Sequence, residues 1–367
     1  MDLDKDFSRN SWCLLGLPFD AVDMNQTAIE ILSAANENRP CFLSTPNLNF
    51  LCGTQKDKAF RESVIDSDLS IVDGFPIVVT AKLLGIPIPE RVAGSNLVEF
   101  LYRRKTDVPL KVYFFGGEPG VAEKAHRAVN ENPSGLFSVG YHTPGFGSIE
   151  DMSTPDIIET INKHDIEFLI VAISAKKGQA WIELNRHKLK APVVSHLGAV
   201  INFFAGTVKR APETVQRIGL EWLWRIYQEP SLWKRYYDDG LQFLKLLVCN
   251  VLPYWLWLKF NSENSTDQPV SIQTSINSEN RYEMKLSGDC SHLTMMPLRT
   301  EFKKAAESER DVIIDLSHVN LIDSAFLGLS LILYKHLKTS GHSLKFANFN
   351  KTVSRILKWQ KVNDLFI

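Results

Sequence analysis

The sequence predicts an α/β protein: a Rossmann-like parallel-sheet core, a helical carboxy-terminal appendage and a second, smaller α/β domain. Three observations predict it. Short apolar runs alternate with segments of helical periodicity over residues 12–197, as in a parallel sheet with crossover helices. Residues 198–248 then read as nearly continuous helix, rich in Trp, Arg and Lys. A polar linker at residues 261–268 precedes another alternation of strands and helices at residues 269–367.

The first predicted domain takes residues 1–207, and seven apolar runs in it are predicted strands. In chain order these runs are WCLLGLPF, CFLST, LSIVD, LKVYFFGG, FSVG, EFLIVAIS and PVVSHLG. Helices are predicted between them from apolar residues three or four positions apart, first after Asp23, then around Val78 and from Val121. The carboxyl ends of the strands form one edge of such a sheet, and binding and catalytic residues are expected at that edge.

The second predicted domain, residues 269–367, repeats this alternation on a smaller scale. Strands are predicted at VSIQTSI, RYEMKLSG, DVIIDL and SLKFAN, with helices near residues 297–308, over residues 324–339 and from Lys351. The linker at residues 261–268 is polar and lacks large apolar side chains. It predicts two folded parts that touch little and are separable.

Composition and charge exclude several classes of protein. The chain has 367 residues, 44% of them hydrophobic and 23% charged, which is enough apolar material for two globular domains. A net charge of -1 implies no general polyanion-binding surface, so nucleic acid is not an expected partner. Five widely spaced cysteines without a CxxC pair indicate neither a disulfide framework nor a thiolate zinc site. The amino terminus lacks the apolar segment of a secretory signal, which predicts a cytoplasmic protein.

The predicted appendage, residues 208–260, combines cations with aromatic side chains. Residues 241–260 are apolar over about the length of a membrane span, but they contain Lys245, Asn250 and Pro253 and several Trp and Tyr. We interpret them as a segment at the membrane surface, with a helix packed in a protein core as the alternative. The cations that recur between the aromatics are candidates for binding a diphosphate or anionic lipid: Lys209, Arg210, Arg217, Arg225, Lys234 and Arg235.

Polar residues follow the predicted strands at the points where the strands end. Asp73 is the candidate general base, because a carboxylate at a strand end can take a proton from a substrate hydroxyl, and Gly74 beside it leaves room for the substrate. The alternative is that Asp73 caps the helix that follows it. The other strand-end candidates are Thr45, Asn47, Gly116, Gly117, Lys176, Lys177 and Gln179.

The turn GGEPG, which begins at Gly116, can direct helix amides at a phosphate, although tight strand-to-helix turns also need glycine for steric reasons alone. It matches neither GxGxxG nor a Walker loop. His187 and His196 lie near the same edge without a further metal-ligand pattern, so both are interpreted as residues packed in the core or on the surface. The residues therefore favour a group transfer without a cofactor or metal, with a carboxylate base and cationic stabilisation.

Four longer segments carry a resemblance to a known family: STPNLNFL, VDGFPIVVTAKLLGIPIPERVAGSNLVEFL, VYFFGGEPGVAEKA and HLGAVINFFAGTVKRAPETVQRIGLEWLWRIYQEPSLWKRY. Together they resemble the WecG/TagA/CpsF glycosyltransferases over residues 12–248. The resemblance implies inverting, metal-independent transfer from a UDP-sugar of the N-acetylmannosamine, N-acetylmannosaminuronic acid or glucose type. The implied acceptor is a polyprenyl-diphosphate-linked sugar of cell-surface polysaccharide synthesis, and the implied location is the cytoplasmic face of the inner membrane, attached through the appendage.

The resemblance also implies roles for individual residues. Asp73 matches the family's proposed base, Thr45 and Asn47 match a T-x-N turn, and Arg91 matches the arginine of an E-R-V-x-G motif. These four residues are the expected catalytic set.

Two positions differ from the family pattern. Gln179 stands where many members have glutamate, and Asn96 stands where many have aspartate. A changed donor or acceptor would account for both differences. The residues expected to bind substrate are Gly74, Asn96, Gly116, Gly117, Lys177, Gln179, Arg210, Arg217 and Arg225.

The segment DVIIDLSHVNLIDSAFLGLSLILYKHLKTSGHSLKFANFN resembles a STAS domain, the fold of anti-sigma-factor antagonists. Those antagonists carry a phosphate-accepting hydroxyl residue where this chain has Ala325. The resemblance therefore implies docking of a protein partner without a phosphorylation switch, and Ser324 is interpreted as the helix N-cap.

Two other functions compete with that of a glycosyltransferase. A degenerate transferase core that acts as a regulatory or scaffolding protein through its STAS domain is compatible with the two differing positions. The intact Thr45, Asn47, Asp73 and Arg91 argue against it. A nucleotide-dependent oxidoreductase is based only on the α/β core and the Gly-rich turn, and the chain lacks the dinucleotide fingerprint.

Overall fold

A computed structural model describes residues 2–217, 219–261 and 269–367, without the side chains at positions 213, 217 and 261. The predicted linker at residues 261–268 therefore lies outside the described residues, apart from the backbone at position 261.

The described residues form two compact units. The core unit comprises Val22–Val78 and Pro89–Leu241, and the terminal unit comprises the described parts of Met1–Ala21, Val79–Ile88 and Gln242–Ile367. This division differs from the predicted domains, because both the start of the chain and the end of the predicted appendage belong to the unit that contains the second α/β domain.

The start of the chain folds as a helix followed by a hairpin. Helix α1 (Leu3–Ser8) precedes strands β1 (Ser11–Leu14) and β2 (Leu17–Asp20), which pair antiparallel. The two-residue turn between them has positive φ at both positions, +51° at Leu15 and +87° at Gly16, as a type I′ turn requires. The run WCLLGLPF was expected as the first strand of the parallel sheet; this expectation was wrong, because the turn folds the run back on itself.

The core unit is built on a six-stranded parallel sheet, in the order β4-β3-β8-β7-β5-β6. The strand Leu110–Gly116 lies next to one edge strand, and its alternate side chains enter two separate apolar clusters, Val112 and Phe114 on one face and Tyr113 and Phe115 on the other. This burial on both faces is what a sheet with crossover helices requires. The strands are β3 (Cys41–Ser44), β4 (Leu69–Ser70), β5 (Leu110–Gly116), β6 (Leu136–His142), β7 (Phe168–Ala172) and β8 (Val193–His196).

Helices connect these strands as predicted. The helix expected after Asp23 begins there with a capping box, in which Asp23 and Gln26 each bond the other's backbone amide. The helices up to the end of the last strand are α2 (Met24–Asn36), α3 (Leu48–Thr54), α4 (Lys58–Ile65), α5 (Phe75–Leu83), α6 (Gly94–Tyr102), α7 (Val121–Glu131), α8 (Pro155–Asn162) and α9 (Ala175–Asn185).

The segment after the last core strand is helical, and its described residues up to position 261 contain no strand, as predicted. A π-helical turn, Leu247–Val251, joins its last two helices. The helices are α10 (Val200–Phe204), α11 (Glu213–Arg217), α12 (Glu221–Gln228), α13 (Trp233–Leu246) and α14 (Leu252–Asn261).

The second α/β domain contains the strands and helices that the sequence predicts. Its four strands lie in the order β12-β11-β10-β9, with β9 antiparallel to β10 and the other pairs parallel. The elements are β9 (Ser271–Ile276), β10 (Tyr282–Cys290), α15 (Met295–Glu307), β11 (Val312–Ile322), α16 (Ser324–Thr339), β12 (Leu344–Ala347), α17 (Lys351–Trp359) and α18 (Asn363–Phe366).

The N-cap of α16 is Asp323, whose carboxylate accepts hydrogen bonds from the amides of Ala325 and Phe326 at 2.9 Å. The interpretation of Ser324 as the N-cap was therefore wrong. Ser324 is the first helical residue, and its hydroxyl oxygen instead accepts a hydrogen bond from Gln360 at 2.9 Å.

Candidate active site

Asp73 lies just after the short strand β4, at the carboxyl edge of the core-unit sheet. Its amide donates to the carbonyl oxygen of Pro46 at 3.1 Å. Its carboxylate accepts a hydrogen bond from the amide of Gly94, the first residue of α6, at 3.3 Å. The helix N-terminus at Gly94 thus points at the carboxylate, whose negative charge it favours.

The surroundings of Asp73 place the pKa of its carboxyl near neutral pH. Burial raises the pKa of Asp73 to about 7, although Arg91 and the Gly94 amide act in the opposite direction. Glu221 contributes to the increase, and Arg225 opposes it. A carboxyl that titrates near neutral pH can both take up and release a proton, which is the property of a general base.

Glu221, the first residue of α12, is a site residue that the sequence reasoning missed. It pairs with Arg91 at 2.6 Å. The backbone just before it is close to the site as well, since a Cβ built on Gly219 would lie 2.7 Å from the ring of Phe75. The segment GLEWLWR therefore covers Asp73. Its acidic residue was overlooked because only the cations of the appendage were considered.

Thr45 and Asn47 lie beside Asp73, as the T-x-N turn implied. Thr45 is 5% exposed, and a Cβ built on Gly94 would lie 3.5 Å from its methyl group. Asn47 is the N-cap of α3, and its amide oxygen accepts hydrogen bonds from two backbone amides of that helix, at 3.0 and 3.3 Å. Gly74 is near Asn47, with 3.5 Å from its built Cβ to the Asn47 Cα. The site therefore combines these residues with Asp73.

The glycines of the GGEPG turn have a steric role. A Cβ on Gly116, whose φ is +108°, would lie 2.5 Å from the carbonyl oxygen of Ala172. The amide of Gly117 donates to that same oxygen at 2.8 Å, which engages it within the sheet. The amide of Gly117 is therefore engaged within the chain, whereas the expectation that the amides of the following helix point at a phosphate stays a prediction.

Gln179 is fully buried, and its amide nitrogen donates to the hydroxyl of Ser44 at 3.1 Å. It connects α9 to β3 and has no exposed surface for a substrate, so the expectation that it binds substrate was wrong for this conformation. Lys177, two residues earlier, is exposed and donates to the carbonyl oxygen of Gly147 at 2.9 Å.

The arginines of the appendage fall into different places. Arg225 is near enough to Asp73 to lower its pKa. Arg210 is bonded instead to Glu99 and Asn96 of α6, and burial lowers its pKa. The same arginine lines a cavity of about 290 Å³. The side chain of Arg217 lies outside the described residues.

His196 packs at the end of β8, as interpreted. Its Nε2 atom bonds the carbonyl oxygen of Ile173 at 2.8 Å, and burial lowers its pKa. His187 is exposed at the surface. Among the described residues, no group of three or more His, Cys, Asp or Glu side chains is arranged to hold a metal ion.

Comparisons with known proteins match two successive parts of the chain. The sequence profile of the glycosyl transferase WecG/TagA/CpsF family matches residues 12–255, and that of a STAS domain of the Mlab type matches residues 276–367. An N-acetylglucosaminyldiphosphoundecaprenol N-acetyl-beta-D-mannosaminyltransferase of Bacillus spizizenii is 26% identical over 200 residues, which cover 54% of this chain and 76% of that protein. A protein of the same name from Staphylococcus aureus is 23% identical over 224 residues, which cover 60% and 85%.

Among solved structures, the phosphorylated form of the Bacillus cell fate determinant SpoIIAA is 16% identical and covers 26% of this chain and 89% of its own. The TM-score of 0.22 is too low to support a comparison of folds.

Proposed function

Because the chain belongs to the WecG/TagA/CpsF family and is therefore a hexosyltransferase, we propose that it moves an N-acetylmannosamine-type sugar from a UDP-sugar to a polyprenyl-diphosphate-linked N-acetylglucosamine. The names of its relatives support this sugar and this acceptor. The observation that carries the proposal is Asp73, a carboxyl with its pKa raised to about 7 and with Arg91 and Arg225 nearby.

In the proposed reaction, Asp73 takes the proton of the acceptor hydroxyl while the hydroxyl oxygen attacks the anomeric carbon of the donor. The bond between that carbon and the diphosphate oxygen breaks, and UDP leaves with its electron pair. Attack opposite the leaving group inverts the configuration at the carbon. General-base assistance of this kind contributes about 10²–10⁴ in rate.

Arg225 and Arg91 supply the positive charge that a departing diphosphate needs. Guanidinium groups bind phosphate oxygens through paired hydrogen bonds, and these strengthen as negative charge develops. The Nε atom of Arg225 is buried and has no hydrogen-bond partner among the described residues, as expected of a donor for an anionic ligand. Arg91 is paired with Glu221, so the diphosphate and Glu221 compete for it.

The appendage presents a row of exposed apolar side chains, which we propose lies on the membrane that holds the acceptor. The members are four residues apart, which places them on adjacent turns. Repeated four-residue steps drift about 40° each around an α-helix. The wider π turn at Leu247–Val251 reduces that drift. Within the terminal unit, the row consists of Leu244, Val248, Leu252, Leu256 and Phe260.

The helix Pro230–Phe260 is long and apolar enough to cross a membrane by length and composition, with a hydropathy of 1.4. Only 22% of its most apolar window is buried, which argues against a core helix. Its other face is attached to protein, since Asn250 donates to the carbonyl oxygens of Lys358 and Trp359 at 3.3 and 3.1 Å. Attachment on one face favours a position on the cytoplasmic surface of the membrane over a span through it.

The test of the reaction uses purified protein with a panel of UDP-sugars and a short-chain polyprenyl-diphosphate N-acetylglucosamine, with products identified by mass spectrometry. We expect product from UDP-N-acetylmannosamine, the same product in the presence of EDTA, and almost none from Asp73→Asn. Product from a different UDP-sugar alone would overturn the donor, and an active Asp73→Asn protein would overturn the role of the base.

The test of membrane attachment is sedimentation with vesicles that contain anionic lipid. The combined Leu244→Ser and Val248→Ser variant should bind several-fold less than the wild type, because it removes apolar side chains that are each 55% exposed. Its matched control is the combined Ile29→Ser and Val108→Ser variant, which changes exposed apolar residues of the core unit. Equal binding of both variants would contradict the proposal.

A further inference from the structure

The amino-terminal arm, residues 2–21, is a short helix and a two-stranded hairpin, and residues 11–20 of the hairpin are all buried. All four residues of β1 and all four of β2 are buried. An isolated two-stranded hairpin cannot bury both of its faces, so the arm needs a surface that covers it. Within the terminal unit, helices α15 and α16 of the STAS domain provide this surface.

The arm approaches the backbone of α16 closely at Gly328. A Cβ built there would lie 2.2 Å from the carbonyl oxygen of Ser11 and 2.9 Å from the Cα of Trp12. Both of these are backbone atoms, which cannot rotate aside as a side chain does. A glycine inside a helix is about 1 kcal/mol less favourable than alanine. Helix α16 therefore has a residue with low helix propensity at the point where the arm packs against it.

Charged groups fix the first turn of the arm. Asp6, which is 5% exposed, accepts a hydrogen bond from the fully buried Lys335 at 2.9 Å and pairs with His336 at 2.8 Å. Arg299 of α15 donates to the carbonyl oxygens of Phe7 and Arg9. A buried lysine is stable only with an anionic partner, and here the arm supplies one.

The start of α16 is closed by the chain itself. The amide of Leu15, at the turn of the hairpin, donates to the side chain of Gln360 at 2.9 Å, and Gln360 in turn donates to Ser324. Tyr254 of α14 also forms a hydrogen bond with Ser324. Ser324 and Ala325 are each 4% exposed.

We propose that the α15–α16 surface of the STAS domain is a receptor for the chain's own amino-terminal arm, recognised by the backbone contact at Gly328 and by the carboxylate of Asp6. The surface is then occupied in cis and is closed to a separate protein. This proposal is independent of the proposed sugar transfer.

The test measures the reactivity of individual cysteines towards a maleimide in the native full-length protein, with peptides mapped by mass spectrometry. None of the five cysteines, all of which the structure describes, forms a disulfide; Cys249 is exposed, and Cys13 of β1 is fully buried. In the Gly328→Ala variant, the maleimide should label Cys13 at least ten times faster than in the wild type, while Cys290 inside the STAS domain stays protected. Because alanine favours helix, this result would not come from a weakened α16.

The matched control is Gly240→Ala in α13, where a built Cβ has no atom within 4 Å, and it should leave the labelling of Cys13 unchanged. A second variant, Lys335→Met, should also expose Cys13. Unchanged protection of Cys13 in both the Gly328→Ala and the Lys335→Met variants would overturn the proposal. Equal exposure of Cys13 and Cys290 would overturn it too, because the arm would then be part of one cooperative core with the domain.

Discussion

Asp73 in the core unit and Asp6 in the terminal unit are two carboxylates whose surroundings shift their pKa values in opposite directions. Burial raises the pKa of Asp73 to about 7. Burial acts in the same direction on Asp6, but the hydrogen bond from His336 and the charges of Lys335 and Arg9 hold its pKa well below the usual value.

This difference distinguishes a carboxylate with a structural role from a carboxylate with a catalytic role. Asp6 contacts the ammonium group of Lys335 at 2.9 Å and the ring of His336 at 2.8 Å, and its carboxyl is ionised at neutral pH because its pKa is lowered. Asp73 has the amide of Gly94 at 3.3 Å, and the arginine beside it, Arg91, is paired with Glu221 instead. Nearby positive charge and the Gly94 amide therefore compensate only in part for the burial of the Asp73 carboxylate. This incomplete compensation marks Asp73 as a site residue.

The largest expected effect is that of Asp73→Asn, which should reduce sugar transfer by about 10²–10⁴ while UDP binding and the fold are retained. The measurement is product formation at saturating substrates, together with UDP binding by calorimetry. Transfer at the wild-type rate would break the comparison, since Asp73 would then be as structural as Asp6.

The same substitution should also change stability, with a sign that depends on pH. Because the pKa of Asp73 is raised in the folded state, its ionisation opposes folding increasingly from about pH 4 to about pH 7. Asp73→Asn should therefore have a higher Tm than the wild type at pH 8 and a similar Tm at pH 4. Asp6→Asn should show the reverse, with a loss at pH 8 that disappears at strongly acidic pH.

Deletion of residues 269–367 should have the next largest effect, because it removes the partners of Asp6 and the surface that covers the hairpin. The polar linker, by contrast, predicts two folded parts that touch little and are separable. We now expect a smaller monomeric fraction in gel filtration and rapid labelling of Cys13, with Cys41 of the core unit still protected. A monomeric truncated protein with Cys13 protected would contradict this expectation.

A smaller effect is expected from the pair of Asp6 and Lys335. Lys335→Met leaves a buried carboxylate with fewer partners and should lower the free energy of unfolding by about 3–5 kcal/mol. The double variant with Asp6→Leu should lose less than the sum of the two single losses, because it leaves neither charge unpaired. The free energies of unfolding of the two single variants and the double variant are measured by urea unfolding, monitored by tryptophan fluorescence. Additive losses would show that the pair is not coupled.

Much of this structure could be predicted from local sequence patterns. The core-unit strands from CFLST onwards and the elements of the STAS domain follow from hydrophobic periodicity, and α2 follows from its capping signal at Asp23. Asp73 and Thr45 could be placed because they follow predicted strands, and parallel sheets collect polar residues at strand ends. Arg91 was identified only through the resemblance to a family motif.

The remaining features depend on contacts that sequence patterns do not encode. The run WCLLGLPF is apolar throughout, so its pattern does not show which sheet or helix covers it, and its turn needs positive φ at Leu15. The partner of Asp6 is 329 positions away, at Lys335. Gln179 follows a strand end but lies on the buried side of α9, and a strand-end position alone does not reveal that.

The smallest effect is expected from Glu221→Gln, which sharpens the comparison by changing the environment of Asp73 without touching it. The charge of Glu221 raises the pKa of Asp73, and its removal also leaves Arg91 without this partner. Both changes favour the ionised carboxylate, so the acidic limb of the pH–rate profile should move to lower pH by several tenths of a unit. The matched control is Glu229→Gln, which removes the same charge about 12 Å further along the chain. A profile that stays in place, or moves equally in both variants, would show that Glu221 does not set the protonation of the base.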